Sequence, residues 1–276
     1  MSTIFHDTVV IRRTFLCQIQ PKRKHWMRNV AKVTEITFPC SKNIDINMMP
    51  IIMGDARSIP PEYRHYAPLI TACNTEQIGK VGYLTVTEST VQRNTSHRRG
   101  GIHTESPGTL TMIEGPPNWG SGSKDDGHDS NGSWGGQPQN EPLPDSSAWG
   151  SSKQYRSGGV YMASSVGQSC KVWDIHIDEP GFMGDCEHLR ESLGVGFTLG
   201  ANEIWWMTDR CPHESLPIPA GTHRQYFRLV TNNVSIWFAK HSTPNRLGIE
   251  PDCPVTHVNK FDLLLQQRRS ISPQQS

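Results

Sequence analysis

Apolar and polar residues alternate along several short stretches of this chain, the period-2 pattern of strands with one buried face. Val33 to Phe38 (V-T-E-I-T-F) predicts a first strand, and Tyr83 to Glu88 (Y-L-T-V-T-E) a second, rich in β-branched residues. Gly159 to Ala163 and Cys170 to Ile177 return to the same pattern. The densest stretch runs from Glu203 to Phe238 and reads strand, turn, strand, strand. Glu203 to Thr208 is apolar and aromatic and stops at Asp209-Arg210-Cys211-Pro212. Leu216 to Gly221 carries two prolines, each lacking an N–H, so it cannot be a helix interior, and Gly221 supplies the reversal. His223 to Val230 and Val234 to Phe238 then supply two more apolar strands, with His213 at the mouth of the hairpin.

Helical signals are few. Pro61 opens one or two predicted turns within Met53 to Asn74. Gly184 to Gly194 predicts the best helix, with Asp185 as N-cap and Gly194 as the stop. Phe261 to Leu265 predicts a last strand or helical turn. Glycine and proline are abundant, 24 and 20 of 276 residues, while charged residues reach only 19%. The balance favours a loop-rich β protein, an all-β barrel or sandwich with minor helices; a double-stranded β-helix of two facing sheets fits the strand count.

The chain divides by composition. Residues 1–32 form a basic N-terminal extension; from Arg12 to Lys32 it holds seven Lys or Arg and no acid. Residues 33–265 make a single domain, and 266–276 a polar tail. Within the domain, 118–157 is rich in Gly, Ser, Asn and Pro, with Trp-Gly steps at Trp119, Trp134 and Trp149. It lacks the aliphatics to fold alone and predicts an insertion or lid. The net charge of +1 argues against a dedicated nucleic-acid binder, and no apolar run approaches membrane-spanning length. Seven scattered cysteines with no C-x-x-C pair point to a reducing, cytoplasmic setting, and Cys211 reads as buried filler.

Chemistry gathers at three places. Arg98-Arg99-Gly100-Gly101-Ile102-His103-Thr104-Glu105 carries a His-x-Glu, whose two side chains share a face on a strand. His213 adds a second imidazole. Two His and one carboxylate form a facial triad that leaves positions open and suits non-haem Fe(II). Arg224 and Arg228 follow His213 by eleven and fifteen residues and share a strand face with Tyr226. A guanidinium is a fixed, bidentate partner for a carboxylate. Asp174-Ile175-His176 is a rival metal triplet without a downstream arginine of its own.

This order of His103 and Glu105, then His213 behind an aromatic strand ending in Asp209, then Arg224 and Arg228, resembles the Fe(II)/2-oxoglutarate-dependent oxygenases. The pattern is nearest to relatives of taurine dioxygenase and clavaminate synthase. It covers about forty residues plus the distant triplet. Glu105 departs from the commoner Asp, and the 118–157 insertion separates the two halves. The resemblance implies a double-stranded β-helix, with Fe(II) on His103, Glu105 and His213. Arg224 would hold the distal carboxylate of 2-oxoglutarate, and Arg228 a second carboxylate or the substrate. It implies O2 and a small-molecule substrate as partners, a ferryl species that abstracts hydrogen, and succinate and CO2 as co-products.

Two other classes stay open from the residues. A cupin-like metal dioxygenase or isomerase would use His223, in Pro219-Ala220-Gly221-Thr222-His223, in place of His213. A non-enzymatic binding protein would use the Trp-Gly insertion as a docking peptide.

Overall fold

The computed structural model describes residues 28–92, 95–105, 159–219, 221–231, 234–260 and 262. The insertion at 118–157, the tail at 266–276 and most of the expected element at Phe261 to Leu265 lie outside the described residues, as does the extension up to residue 27.

The first strands are β1 (Val30–Glu35), β2 (Asp45–Ile52) and β3 (Val81–Thr90). Between β2 and β3 lie two 3-10 turns and a short helix, α1 (Ala67–Ala72), where Pro61 predicted helical turns. Then follow β4 (Val160–Ser164), β5 (Cys170–Val172), β6 (Phe197–Thr198), β7 (Glu203–Met207), β8 (His213–Ser215) and β9 (His223–Thr231). The last are β10 (Trp237–Phe238) and β11 (Val255–Thr256), a small parallel pair. The fold is mainly β. A six-stranded antiparallel sheet has the order β1-β7-β4-β9-β3-β2, and a three-stranded antiparallel sheet the order β6-β5-β8.

Strand alternation sorts the core into two layers. Odd residues of β9, Phe227 and Leu229, join Tyr161 and Ala163 of β4, Leu84 and Val86 of β3, and Ile204 and Trp206 of β7. The chain from Ile59 to Cys73, with Tyr66, Leu69 and Ile70, covers that face. Even residues point the other way: Tyr226 and Val230 pack with Val160, Met162, Tyr83 and Met207. Val172 of the smaller sheet and Cys211 close over them. Burying a residue such as Phe227 completely stabilises the fold by about 1.5–3 kcal/mol. Pro50 lies within β2, at the sheet edge, where its missing donor is tolerated.

Four sequence expectations shift. The first strand begins at Val30, inside the expected extension, because Val30 is buried and pairs with Met207. His213 is not at the mouth of a hairpin with β9, since β8 pairs with β5 in the other sheet. Only Cys170 to Val172 of the Cys170–Ile177 run is strand. Beyond it Trp173 N bonds to Pro212 O, and Ile177 N to Arg210 O, outside any ladder. Gly184 to Gly194 is not one helix but a 3-10 turn at Glu187–Leu189 followed by turns. Asp185 does accept from Glu187 N at 3.0 Å, and Gly194 does adopt φ +67°. The backbone bonds close mostly three residues apart, Leu189 N to Cys186 O and Arg190 N to Glu187 O, the spacing of a 3-10 turn. Cys186 N reaches Ile102 O, and the Glu187 carboxylate takes Ile102 N and Arg190.

Candidate metal centre and arginine-lined cavity

The His-x-Glu is held as a single rung, not as part of a regular strand. His103 bridges Asp185 on one side and His213 on the other. His103 N donates to His213 O at 3.0 Å, and His213 N returns the bond to His103 O at 2.9 Å. Thr104 N donates to Gly184 O at 2.8 Å. Ile102, almost fully buried with Trp173, Ile177, Cys186, Leu189 and Leu193, nails the rung down. Gly101 takes φ +78°, a turn that a side chain would strain, and so aims His103 inward.

The two imidazole rings stand 4.5 Å apart, centroid to centroid. Each anchors Nδ1 on a backbone carbonyl: His103 on Gly101 O at 2.8 Å, His213 on Cys211 O at 3.1 Å. A carbonyl oxygen only accepts, so Nδ1 carries the proton in both, and in the neutral rings Nε2 keeps its lone pair. His213 Nε2 lies 3.6 Å from Glu105 Oε1. Burial, then the neighbouring His213, pushes the His103 pKa down to about 3, which keeps it a neutral donor.

Glu105 Oε1 also accepts from Arg228 Nη1 at 2.7 Å. Burial works against the charge on Glu105, but the Arg228 guanidinium beside it offsets this and holds the carboxyl well below its usual range. Among the described residues no three His, Cys, Asp or Glu side chains form a ready-made metal cage. His103, Glu105 and His213 nevertheless converge as one donor set of the type Fe(II) takes, and an ion would have to draw Glu105 part-way from Arg228. The donor chemistry therefore fits a metal, with the carboxylate pre-engaged by an arginine.

Arg224 and Arg228 share the even face of β9 with Tyr226, as the alternation predicts, and that face is buried. Arg224 is only 1% exposed. Its Nε donates to Ser164 Oγ at 2.9 Å, and its Nη1 is buried without a hydrogen-bond partner among the described residues. No carboxylate pairs with it there, and burial lowers its pKa. Together with Arg98, Met162, Cys170 and Ser215, it lines a cavity of about 40 Å3 that also exposes His103, Glu105, His213 and Arg228. A second cavity of about 190 Å3 shares His103, Glu105, Arg99 and Arg228, and extends to Trp237, Phe238 and Lys260.

Arg98 and Lys260 belong to these walls without having been singled out from the sequence. Arg98 sits 5.3 Å from the Tyr226 ring centroid and donates to Asn47 Oδ1 at 3.3 Å. Its adjacency to the His-x-Glu was the available signal. Lys260 had none. The rival triplet separates: Asp174 accepts from Asn29 N, and His176 lies 3.4 Å from Asp178. His223 is exposed, bonds Ser41 Oγ at 3.2 Å and lines neither cavity. Cys211 is buried, and burial pushes its thiol pKa up, as befits filler. No protein-family model, curated protein or solved structure matches this chain.

Proposed function

We propose that this protein is an Fe(II)- and 2-oxoglutarate-dependent oxygenase acting on a small molecule. The observation that carries the reading is Arg224, a buried guanidinium with an unpartnered Nη1 in the cavity where His103, Glu105 and His213 meet. A desolvated cation without an anion costs several kcal/mol, so the cavity favours a carboxylate there. The six-stranded and three-stranded sheets would then be the two halves of a double-stranded β-helix, with the metal between them. No helix among the described residues is long and apolar enough to cross a membrane, and the six described cysteines are unpaired. A cytoplasmic location is part of the proposal.

In this reading His103, Glu105 and His213 hold the iron, and iron with a bound 2-oxo acid supplies the activation of O2. The chain contributes placement. The carbonyls of Gly101 and Cys211 fix the imidazole tautomers, so both Nε2 atoms face inward. Arg224 takes the distal carboxylate of 2-oxoglutarate in a bidentate fork. At about 40 Å3 the inner cavity suits a carboxylate group, not the whole acid; the rest of the molecule extends past His103 and Glu105. Arg228 neutralises Glu105 and borders both cavities, so it lies between co-substrate and substrate.

The test is an anaerobic titration of the protein with Fe(II) and then 2-oxoglutarate. A visible charge-transfer band that needs both components, followed by succinate formation on admitting O2, is the expected result. No band and no succinate would reject the reading. The His223-based cupin alternative would then have to explain an exposed ligand.

A further inference from the structure

The larger cavity, about 190 Å3, shares His103, Glu105, Arg99 and Arg228 with the smaller one but excludes Arg224. Its far wall is apolar, built from Val230, Ile236, Trp237 and Phe238. Lys260 reaches this wall from the segment that follows β11. Its Nζ lies 5.8 Å from the centroid of the Phe238 ring, a cation–π contact within the cavity lining.

The charges around Lys260 do not balance. Arg99, Arg228 and Lys260 line the cavity against two carboxylates, Glu105 and Asp209. Glu105 is already held by Arg228 at 2.7 Å, and Arg99 is directed to Met183 O and towards Asp185. Asp209 also lines the cavity but makes no ion pair with Lys260. Among the described residues no carboxylate forms an ion pair with Lys260. Burial brings its pKa down to about 8, leaving it charged at neutral pH. A half-buried ammonium that pairs with no carboxylate among the described residues, in a cavity with apolar walls, is the complement of an amphipathic acid.

We propose that Lys260 is the anion-binding residue of the outer cavity, and that the cavity takes a small carboxylic acid with an apolar body. The carboxylate meets Lys260, and the body packs on Val230, Ile236 and Trp237. Calling that acid the substrate rests on the oxygenase reading; its binding does not.

The probes are hexanoate and its neutral isostere hexanamide, added to the full-length protein without metal or 2-oxoglutarate and followed by calorimetry and by tryptophan fluorescence. The expected result is that hexanoate binds at least about tenfold more tightly than hexanamide. Lys260→Met should remove that preference and leave hexanamide binding unchanged, and Lys260→Arg should restore most of it. Equal binding of the two probes, no binding of hexanoate, or hexanoate affinity untouched by Lys260→Met overturns the proposal. Arg224 also offers a cation to a carboxylate, so the Lys260 variants decide the question, and Lys260→Gln serves as the uncharged comparison if Lys260→Met folds poorly. A protein that binds hexanoate through Lys260 but forms no succinate keeps this inference and loses the oxygenase reading. Succinate formation without the hexanoate preference does the reverse.

Discussion

His103 and His213 exchange both of their backbone hydrogen bonds, at 3.0 and 2.9 Å, across 110 residues of chain. That pairing, and not a shared strand, brings their rings to 4.5 Å. The geometry of the site is thus set by the main chain, which survives truncation of either ring.

The first prediction follows from that independence. His103→Ala, Glu105→Ala and His213→Ala should each lower Fe(II) affinity by more than tenfold, since even partners outside the ligand set typically cost ten- to a hundredfold. The two His variants should keep native circular dichroism, because the backbone pair stays. Anaerobic Fe(II) binding isotherms and iron content per chain measure the effect. Wild-type iron content in all three variants would remove the metal assignment.

Arg224 carries different consequences for stability and for binding. Among the described residues its buried charge has one hydrogen-bond partner, Ser164, and a Tyr226 ring at 5.1 Å, but no anion, so Arg224→Met should leave the ligand-free protein about as stable as the wild type. The same change should weaken 2-oxoglutarate binding by about 2–5 kcal/mol, and Fe(II) binding far less. Arg224→Lys retains charge but loses the fork, so it should fall between. Thermal melts of the apo protein and succinate formation against 2-oxoglutarate concentration separate the two effects. Wild-type half-saturation in Arg224→Met would contradict the role.

Much of this site is written in alternation. The even face of β9 places Arg224, Tyr226 and Arg228 together, and period 2 shows it in the residue string. The burial of that face could not be read the same way, because both faces of β9 are covered and Phe227 and Leu229 look equally internal. The donor set His103, Glu105 and His213 was legible as residue types, while its assembly was not. It depends on a rung fixed by Gly184, Asp185 and His213, which no local pattern encodes. The expected helix from Gly184 keeps its capping residues, yet its backbone bonds close as a 3-10 turn while Cys186 N and the Glu187 carboxylate bind Ile102. Lys260 arrives through a turn-rich segment with no period at all.

A second carboxylate governs the fold away from Glu105. Glu88 accepts from Ser41 Oγ, Lys42 N, Ile44 N, Tyr66 OH and Gln225 Nε2, joining β3, β9 and two loops. Burial opposes its charge, but these donors outweigh it and bring its pKa down to about 2 from 4.5. A depressed carboxyl pKa contributes stability that is fully present above about pH 4.5 and lost as pH falls towards 2. Glu88→Gln should therefore cost about 2–4 kcal/mol at pH 7, with a gap to the wild type that narrows steadily below pH 4.5. Urea unfolding of both proteins at a series of pH values measures it. A gap independent of pH would show that shape, not charge, holds the network.

Arg228 and Glu105 provide the last prediction, because their pair is both a stability element and part of the site. Nη1 and Oε1 meet at 2.7 Å in a place shielded from water, and among the described residues Arg228 otherwise bonds only Thr85 Oγ1 at 3.5 Å. Removing one partner strands the other charge, so Arg228→Met and Glu105→Gln should each destabilise the metal-free protein by roughly 3–5 kcal/mol. The double variant should cost clearly less than the two losses added, because neither charge is then left alone. Iron changes the balance for one partner only. A bound cation supplies Glu105 with a second counter-charge, so saturating Fe(II) should recover part of the stability lost in Arg228→Met and none of that lost in Glu105→Gln. The measurement is a double-mutant cycle by urea unfolding, run anaerobically with and without Fe(II). Additive single losses would mean the pair is not coupled. Equal recovery of both variants by Fe(II) would mean that Glu105 is not the carboxylate the metal uses.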